Sequence, residues 1–395
     1  MTSSTGSDRR TLAVHGGTRR SQYGEMSEAI FLTQGFVYDS AEQAEARFIE
    51  CADDEYIYAR YGNPTVRMFE QRMAAIEGVE DGFALASGMA AVSSSLCAIL
   101  SAGDRLVASR ALFGSCLYVV ESMLPRFGVD VELVDGTDPD QWRQAVQPGT
   151  KAVFLETVSN PMLEVIDLAA VSQVARHAGA VVIVDNALST PLYQCSAELG
   201  ADVIIYSSTK HVDGQGRCLG GIVLGTKDFI RKTLEPHAKH TGGALSPFNA
   251  WVMLKSLETL TLRCEHQTRI AHELAASAEG HAKVLRVLYP KLESHPQFAV
   301  ASTQMTGGGT VFTMELTGGR KGAFRFINAL RLFRISNNFG DSRSIVTHPA
   351  STTHQRIGPQ MRQQLGINDG VVRISVGLEE PAALRADIEQ ALDAV

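Results

Sequence analysis

A lysine directly after a buried strand is poorly placed for an ordinary solvated charge. Lys210 follows the apolar run ADVIIYS (201–207), behind Ser207, Ser208 and Thr209. Taken alone it reads as a strand-end lysine in a loop. Its company changes that. Asp185 closes the run AVVIVD (180–185). Ser87, Gly88 and Met89 stand where DGFALAS (81–87) gives way to a helical pattern, and Glu156 to Asn160 follow KAVFL. In a parallel sheet, ligands bind beyond the carboxyl ends of the strands, so these residues belong to one candidate edge. A partly desolvated lysine can lose its proton and attack a carbonyl, which arginine cannot do. A buried aspartate can keep a ring nitrogen protonated. A glycine at a helix start lets an anion approach backbone N–H groups, where the helix dipole favours it. Amine, acid and anion cup match the aldehyde, ring nitrogen and phosphate of pyridoxal 5′-phosphate. Ser207 and Thr209, two residues apart, can add hydroxyls to the cup.

These residues need a rigid frame. Apolar runs at 81–87, 104–109, 129–135, 151–156, 180–185, 201–207 and 220–225 are mostly continuous rather than alternating, as strands buried on both faces are. Helical patterns separate most of them, among them 64–77 before Gly78 and Leu168 to Ala178 before Gly179. That cadence predicts an α/β fold with a largely parallel sheet covered by helices. Ahead of it, residues 1–60 read as an arm with turns and a short helix near Ser40 to Ile49. After about residue 246 the pattern changes: one long helix over 247–279, strands at 309–316 and 370–377, and helices over 322–332 and 381–394. We expect three parts: the arm (1–60), a cofactor-binding large domain (61–255) and a smaller α+β domain (256–395).

Composition narrows the function. With 395 residues, 45% of them apolar and 20% charged, the chain has material for a large core. Net charge is −7, with basic residues dispersed, which argues against a nucleic-acid partner. No apolar run approaches the ~20 residues that span a bilayer, and the polar start MTSSTGSDRRT lacks a secretory signal, so no membrane partner and a cytoplasmic location are expected. The six cysteines are scattered without a CxxC pair, and each reads as a reduced small residue. No metal site is expected: His237/His240 and His266/His272 lack further ligands at zinc spacing. The glycines Gly214, Gly216, Gly220 and Gly221 precede a strand instead of a helix, the reverse of a dinucleotide fingerprint, and no P-loop occurs.

Longer segments carry a family resemblance. YIYARYGNPT (56–65), ALASGMAA (84–91), ETVSNP (156–161), VDNALSTP (184–191), YSSTKHVDGQG (206–216), LSPFNAWVMLKSLETLTLR (245–263) and VVRISVGLE (371–379) resemble the Cys/Met-metabolism family of fold type I pyridoxal-phosphate enzymes. The match runs from about residue 12 to the C-terminus. It implies that Lys210 carries the cofactor and moves protons, and that Asp185 pairs with the ring nitrogen. It further implies that Gly88 and Met89 N–H groups, with Ser87, Ser207 and Thr209, hold the phosphate. Tyr58 and Arg60 are implied to reach the phosphate of a neighbouring subunit, within a homotetramer built from dimers that share active sites. Asn160 and Arg373 are implied to anchor a substrate carboxylate, for which a planar guanidinium is suited. The chain departs from many members where they place a tyrosine over the cofactor ring: here Phe113 stacks without a hydroxyl. Asn337-Asn338-Phe339-Gly340-Asp341 and the following HPASTTH (348–354) resemble the O-acylhomoserine sulfhydrylase branch, and Phe113-Gly114-Ser115-Cys116 leans toward its O-succinyl members. The implied reaction is γ-replacement, O-succinyl-L-homoserine plus sulfide giving L-homocysteine plus succinate. O-acetylhomoserine sulfhydrylase, cystathionine γ-synthase and cystathionine or methionine γ-lyase are the alternatives.

Overall fold

A computed structural model gives the fold for residues 9–395; residues 1–8 of the expected arm lie outside the described residues. Seven strands form the larger sheet: β1 (Asp81–Leu85), β2 (Arg105–Ser109), β3 (Asp130–Val134), β4 (Thr150–Glu156), β5 (Val181–Asp185), β6 (Val203–Tyr206) and β7 (Gly221–Gly225). Their order is β1-β7-β6-β5-β4-β2-β3. β2 to β6 are parallel, while β7 runs antiparallel to both β1 and β6. The carboxyl ends of β1, β2, β4, β5 and β6 therefore share one edge with the start of β7.

The continuous apolar runs have the expected cause. Phe154, Ile183 and Ile205 enter a core on one face of the sheet, while their neighbours Val153, Val182 and Ile204 enter cores on the other. The helices start and stop where the caps require. Asn63 accepts N–H bonds from Thr65 and Val66 ahead of helix Pro64–Glu77, which ends at Gly78 with φ 85°. Asp167 caps Leu168–Ala178, which ends at Gly179 with φ 73°.

A second sheet has β8 (Val284–Leu288), β9 (Val311–Leu316), β10 (Arg334–Ile335), β11 (Ile345–Thr347) and β12 (Val371–Ser375), in the order β10-β11-β12-β9-β8. It has its own core around Phe312, Met314, Phe326 and Ile374. The expected architecture, a mostly parallel large sheet plus a smaller α+β unit, is what forms. Helix Leu260–Ala278 joins the two: Leu260 and Cys264 pack with the large sheet, whereas Ile270, Leu274 and Ala278 pack with the small one.

Two local expectations need correction, and three strands were not foreseen. The helix expected over 247–279 is two, Pro247–Leu257 and Leu260–Ala278. The break has no glycine or proline; the Ser256 carbonyl it frees is taken by Arg263 Nη2 at 3.1 Å and Thr259 N at 3.2 Å. The helix expected from Gly322 begins at Gly319, because Gly318 in the left-handed region (φ 74°) already turns the chain. Strands β8, β10 and β11 are short and partly exposed or two to three residues long, too little for a periodicity to register.

Candidate active site

At the shared edge lies a cavity of about 260 Å³ lined by Ser87, Gly88, Met89, Phe113, Asn160, Asp185, Ser207, Thr209 and Lys210. Residues spread over more than 120 positions of sequence meet there because five strands end together. Lys210 sits in the turn after β6, its amide bonded to the Ser207 carbonyl at 3.0 Å. Its Nζ donates to Asn338 Oδ1 and lies 4.9 Å above the Phe339 ring. Burial, with the Arg373 charge nearby, lowers the amine to about 8, while Asp185 pulls it the other way. Asp185 accepts the Ala187 N–H at 3.1 Å through Oδ1, and burial raises it to about 6. A protonated ring nitrogen set beside that carboxylate would favour its ionised form.

The opposite wall is a cup. Ser87 caps helix Gly88–Ile99, its hydroxyl accepting the Ala90 N–H at 3.1 Å. The Gly88 and Met89 amides have no partner among the described residues, as expected for a first helical turn open to an anion. The fit is tight and steric. A Cβ on Gly88 would stand 2.7 Å from the Ser207 Cβ, and one on Gly221 would stand 2.2 Å from the Ser87 carbonyl oxygen. Only glycine lets these two loops close around the cup. The Thr209 hydroxyl bonds the Gly220 carbonyl at 3.2 Å and accepts its N–H at 3.1 Å, so it braces the loop while facing the cavity. The cup, the amine and the acid thus suit the phosphate, aldehyde and ring nitrogen of pyridoxal phosphate.

Arg373 sits on β12, the central strand of the small sheet, behind the cavity lining; it is 1% exposed and meets the lining through Asn160 and Asn337. Its guanidinium donates to Asn160 Oδ1 at 2.8 Å and to the carbonyls of Asn337 and Asn338 at 3.0 and 2.8 Å. All three acceptors are neutral, and Nε has no partner among the described residues. Arg72, by contrast, is equally buried but is held by Glu28 at 2.6 Å. Among the described residues no carboxylate pairs with Arg373, so no structural acid holds it in its apolar strand. A buried cation lacking a counter-charge is a ready anchor for a carboxylate ligand.

Tyr58 and Arg60 do not line this cavity. Arg60 lies over the rings of Tyr58 and Tyr61, at 5.4 and 4.9 Å, and donates to the Lys239 carbonyl. The structure adds residues to which sequence reasoning assigned no role in the site. Asn337, Phe339 and Thr353 reach the cavity from the small sheet's loops, and Glu156 and Cys116 also line it. The segment Asn337 to Phe339 stands out in the sequence only as a departure from a family pattern; its contact with Lys210 spans 128 positions, which no spacing reveals.

Fold and cavity together define an enzyme built around pyridoxal phosphate. The family model for Cys/Met metabolism PLP-dependent enzymes matches residues 10–393. An O-succinylhomoserine sulfhydrylase of Mycobacterium tuberculosis is 51% identical over 98% of this chain and 96% of its own length. One from Pseudomonas aeruginosa is 42% identical over 98% and 95%. A Campylobacter jejuni crystal structure carrying a pyridoxyl-lysine phosphate superposes with a TM-score of 0.94 at 30% identity, covering 98% of this chain and all of that one. The chain belongs to the Cys/Met-metabolism family of PLP-dependent enzymes, and its cofactor is pyridoxal 5′-phosphate.

Proposed function

We propose that this enzyme makes L-homocysteine and succinate from O-succinyl-L-homoserine and sulfide, a step of methionine biosynthesis. The observation that carries the reading is the unpaired, buried Arg373 beside Lys210, which fits an amino-acid substrate held by its carboxylate within reach of a free amine. The near full-length identity to the two sulfhydrylases supports the specific reaction. Bound pyridoxal phosphate supplies an electron sink for the pair left when a bond at the substrate α-carbon breaks.

The protein's residues do the rest. Gly88 and Met89 N–H groups, with the Ser207 hydroxyl and the Thr209 hydroxyl turned from the Gly220 carbonyl, bind the phosphate. Asp185 holds a positive charge at the ring nitrogen. Arg373 and Asn160 orient the substrate carboxylate. Lys210 Nζ binds the cofactor and then takes and returns protons at the substrate carbons, for which an amine near pH 8 is better matched than one at 10.5. Phe113 covers the ring face and excludes water; lacking a hydroxyl, it cannot shuttle a proton, which weighs against elimination. Acylation makes the γ-oxygen leave as a carboxylate, a far weaker base than hydroxide.

The proposal includes three parts, with residues 1–60 as an arm, 61–255 as the large domain and 256–395 as the small one. The arm's exposed Met26, Leu32 and Val37 (89%, 73% and 94%) suit burial against a second copy, to which Tyr58 and Arg60 would belong. We place the enzyme in the cytoplasm as a homotetramer. Among the described residues no helix is long and apolar enough to cross a membrane.

The deciding experiment compares O-succinyl- and O-acetyl-homoserine with sulfide, and then cysteine in place of sulfide. The succinyl ester should win in kcat/KM by about tenfold or more. An equal or better acetyl ester, preference for cysteine, or elimination without any nucleophile would each replace the proposed activity with its rival. A second outcome concerns Lys210. At pH 7 an amine titrating at about 8 is about a tenth unprotonated, against about three parts in ten thousand for an ordinary lysine. Recombination of the apoprotein with cofactor should therefore speed up with pH and level off near 8; a rise continuing to pH 10 would contradict the lowered value.

A further inference from the structure

Beneath the cofactor seat lies a second carboxyl. Glu156 ends β4 directly in register with Asp185 at the end of β5. It is 4% exposed, and its Oε1 accepts the Phe113 N–H at 2.6 Å. Oxygens of both carboxyls and the Cys116 Sγ all lie within 4.8 Å of one another. We propose that Glu156 is a positioning residue of the cofactor seat: a neutral carboxylic acid that ties the ring-covering Phe113 to the nitrogen-facing Asp185.

The geometry forces the choice of protonation. The groups facing Glu156 are Asp185 from β5, the Cys116 thiol and Phe113 N–H from the segment after β2, and the Asn160 backbone. None is a cation; Lys210 faces Asp185 instead. Two buried carboxylates this close cannot both ionise cheaply, and only Asp185 has a cation to answer it. Burial first, then the charge of Asp185, push Glu156 well above the carboxylate range, against the hydrogen bonds it receives. A neutral Glu156 keeps one oxygen for the Phe113 amide and turns an O–H donor toward its neighbours. It thereby leaves Asp185 as the single anion of the floor. The same carboxyl fixes where the chain turns into helix Gly114–Tyr118, since Phe113, which precedes that helix, makes no side-chain cap.

The inference rests on the cofactor seat and is independent of which ester is the substrate, so its readout is the bound cofactor. Visible circular dichroism, its pH titration and cofactor affinity would be measured on the wild type, Glu156→Gln and Glu156→Ala. Gln is the neutral isostere of the protonated acid, so its cofactor band should titrate within about half a unit of the wild type. Ala should change the dichroic band, because Phe113 loses its tether, and weaken cofactor binding by about tenfold. An Ala variant with unchanged dichroism and affinity overturns the positioning role. A Gln variant whose band titrates more than about one unit away shows that an ionised Glu156 is needed and overturns the neutral acid. Should the Ala variant fail to fold, the Gln titration alone decides.

Discussion

Lys210→Ala is expected to lower turnover by about 10⁴-fold or more, while the variant still binds pyridoxal phosphate. Among the described residues Lys210 is the one amine lining the cavity, so no neighbour can take its place. The cup formed by Gly88, Met89 and Ser207 is untouched by the change, and Arg373 keeps its own three acceptors. Retention should therefore come from the phosphate, measurable by equilibrium dialysis, and the loss from chemistry, measurable in a single turnover. Activity within tenfold of the wild type would remove Lys210 from its proposed role.

Asp185→Asn isolates a charge. The amide has the same shape and keeps an oxygen for the Ala187 N–H, so the thermal midpoint should move by only a few degrees. What disappears is the anion opposite the ring nitrogen. Removing one partner from a buried ion pair costs about 3–5 kcal/mol, which corresponds to about 10²–10⁴-fold in kcat/KM. The sign with pH also follows. Burial raises the Asp185 carboxyl to about 6 against the pull of the Ala187 N–H and the Lys210 charge, so apoprotein should take up cofactor less well below that pH, and the Asn variant should lose that dependence. A variant with near-normal kcat/KM would mean that the ring nitrogen needs no anion from this strand.

Much of this site is legible in the sequence for one reason: strands buried on both faces write themselves as apolar runs, and function sits where each run stops. Lys210, Asp185, Ser87 and Asn160 are all found that way. The small-sheet side is not. Asn337 and Phe339 lie in coil between the two- and three-residue strands β10 and β11, where no period exists to count. Glu156 ends a run as clearly as Asp185 does, yet its function depends on cross-strand register, a property of the sheet and not of the string. Nothing in the string says whether Arg373 has an acid partner; among the described residues none pairs with it. The split of the helix after Leu257 depends on Arg263 reaching back to Ser256, a tertiary contact that overrides an unbroken helical pattern.

Catalysis by this chain depends on the amine of Lys210 bonding the cofactor aldehyde. Holoenzyme treated with borohydride, digested and sequenced by tandem mass spectrometry tests that directly. The phosphopyridoxyl mass should fall on Lys210 at close to one per chain, with the visible absorbance lost in step. Label on another lysine, or an unlabelled Lys210 in protein saturated with cofactor, would contradict it.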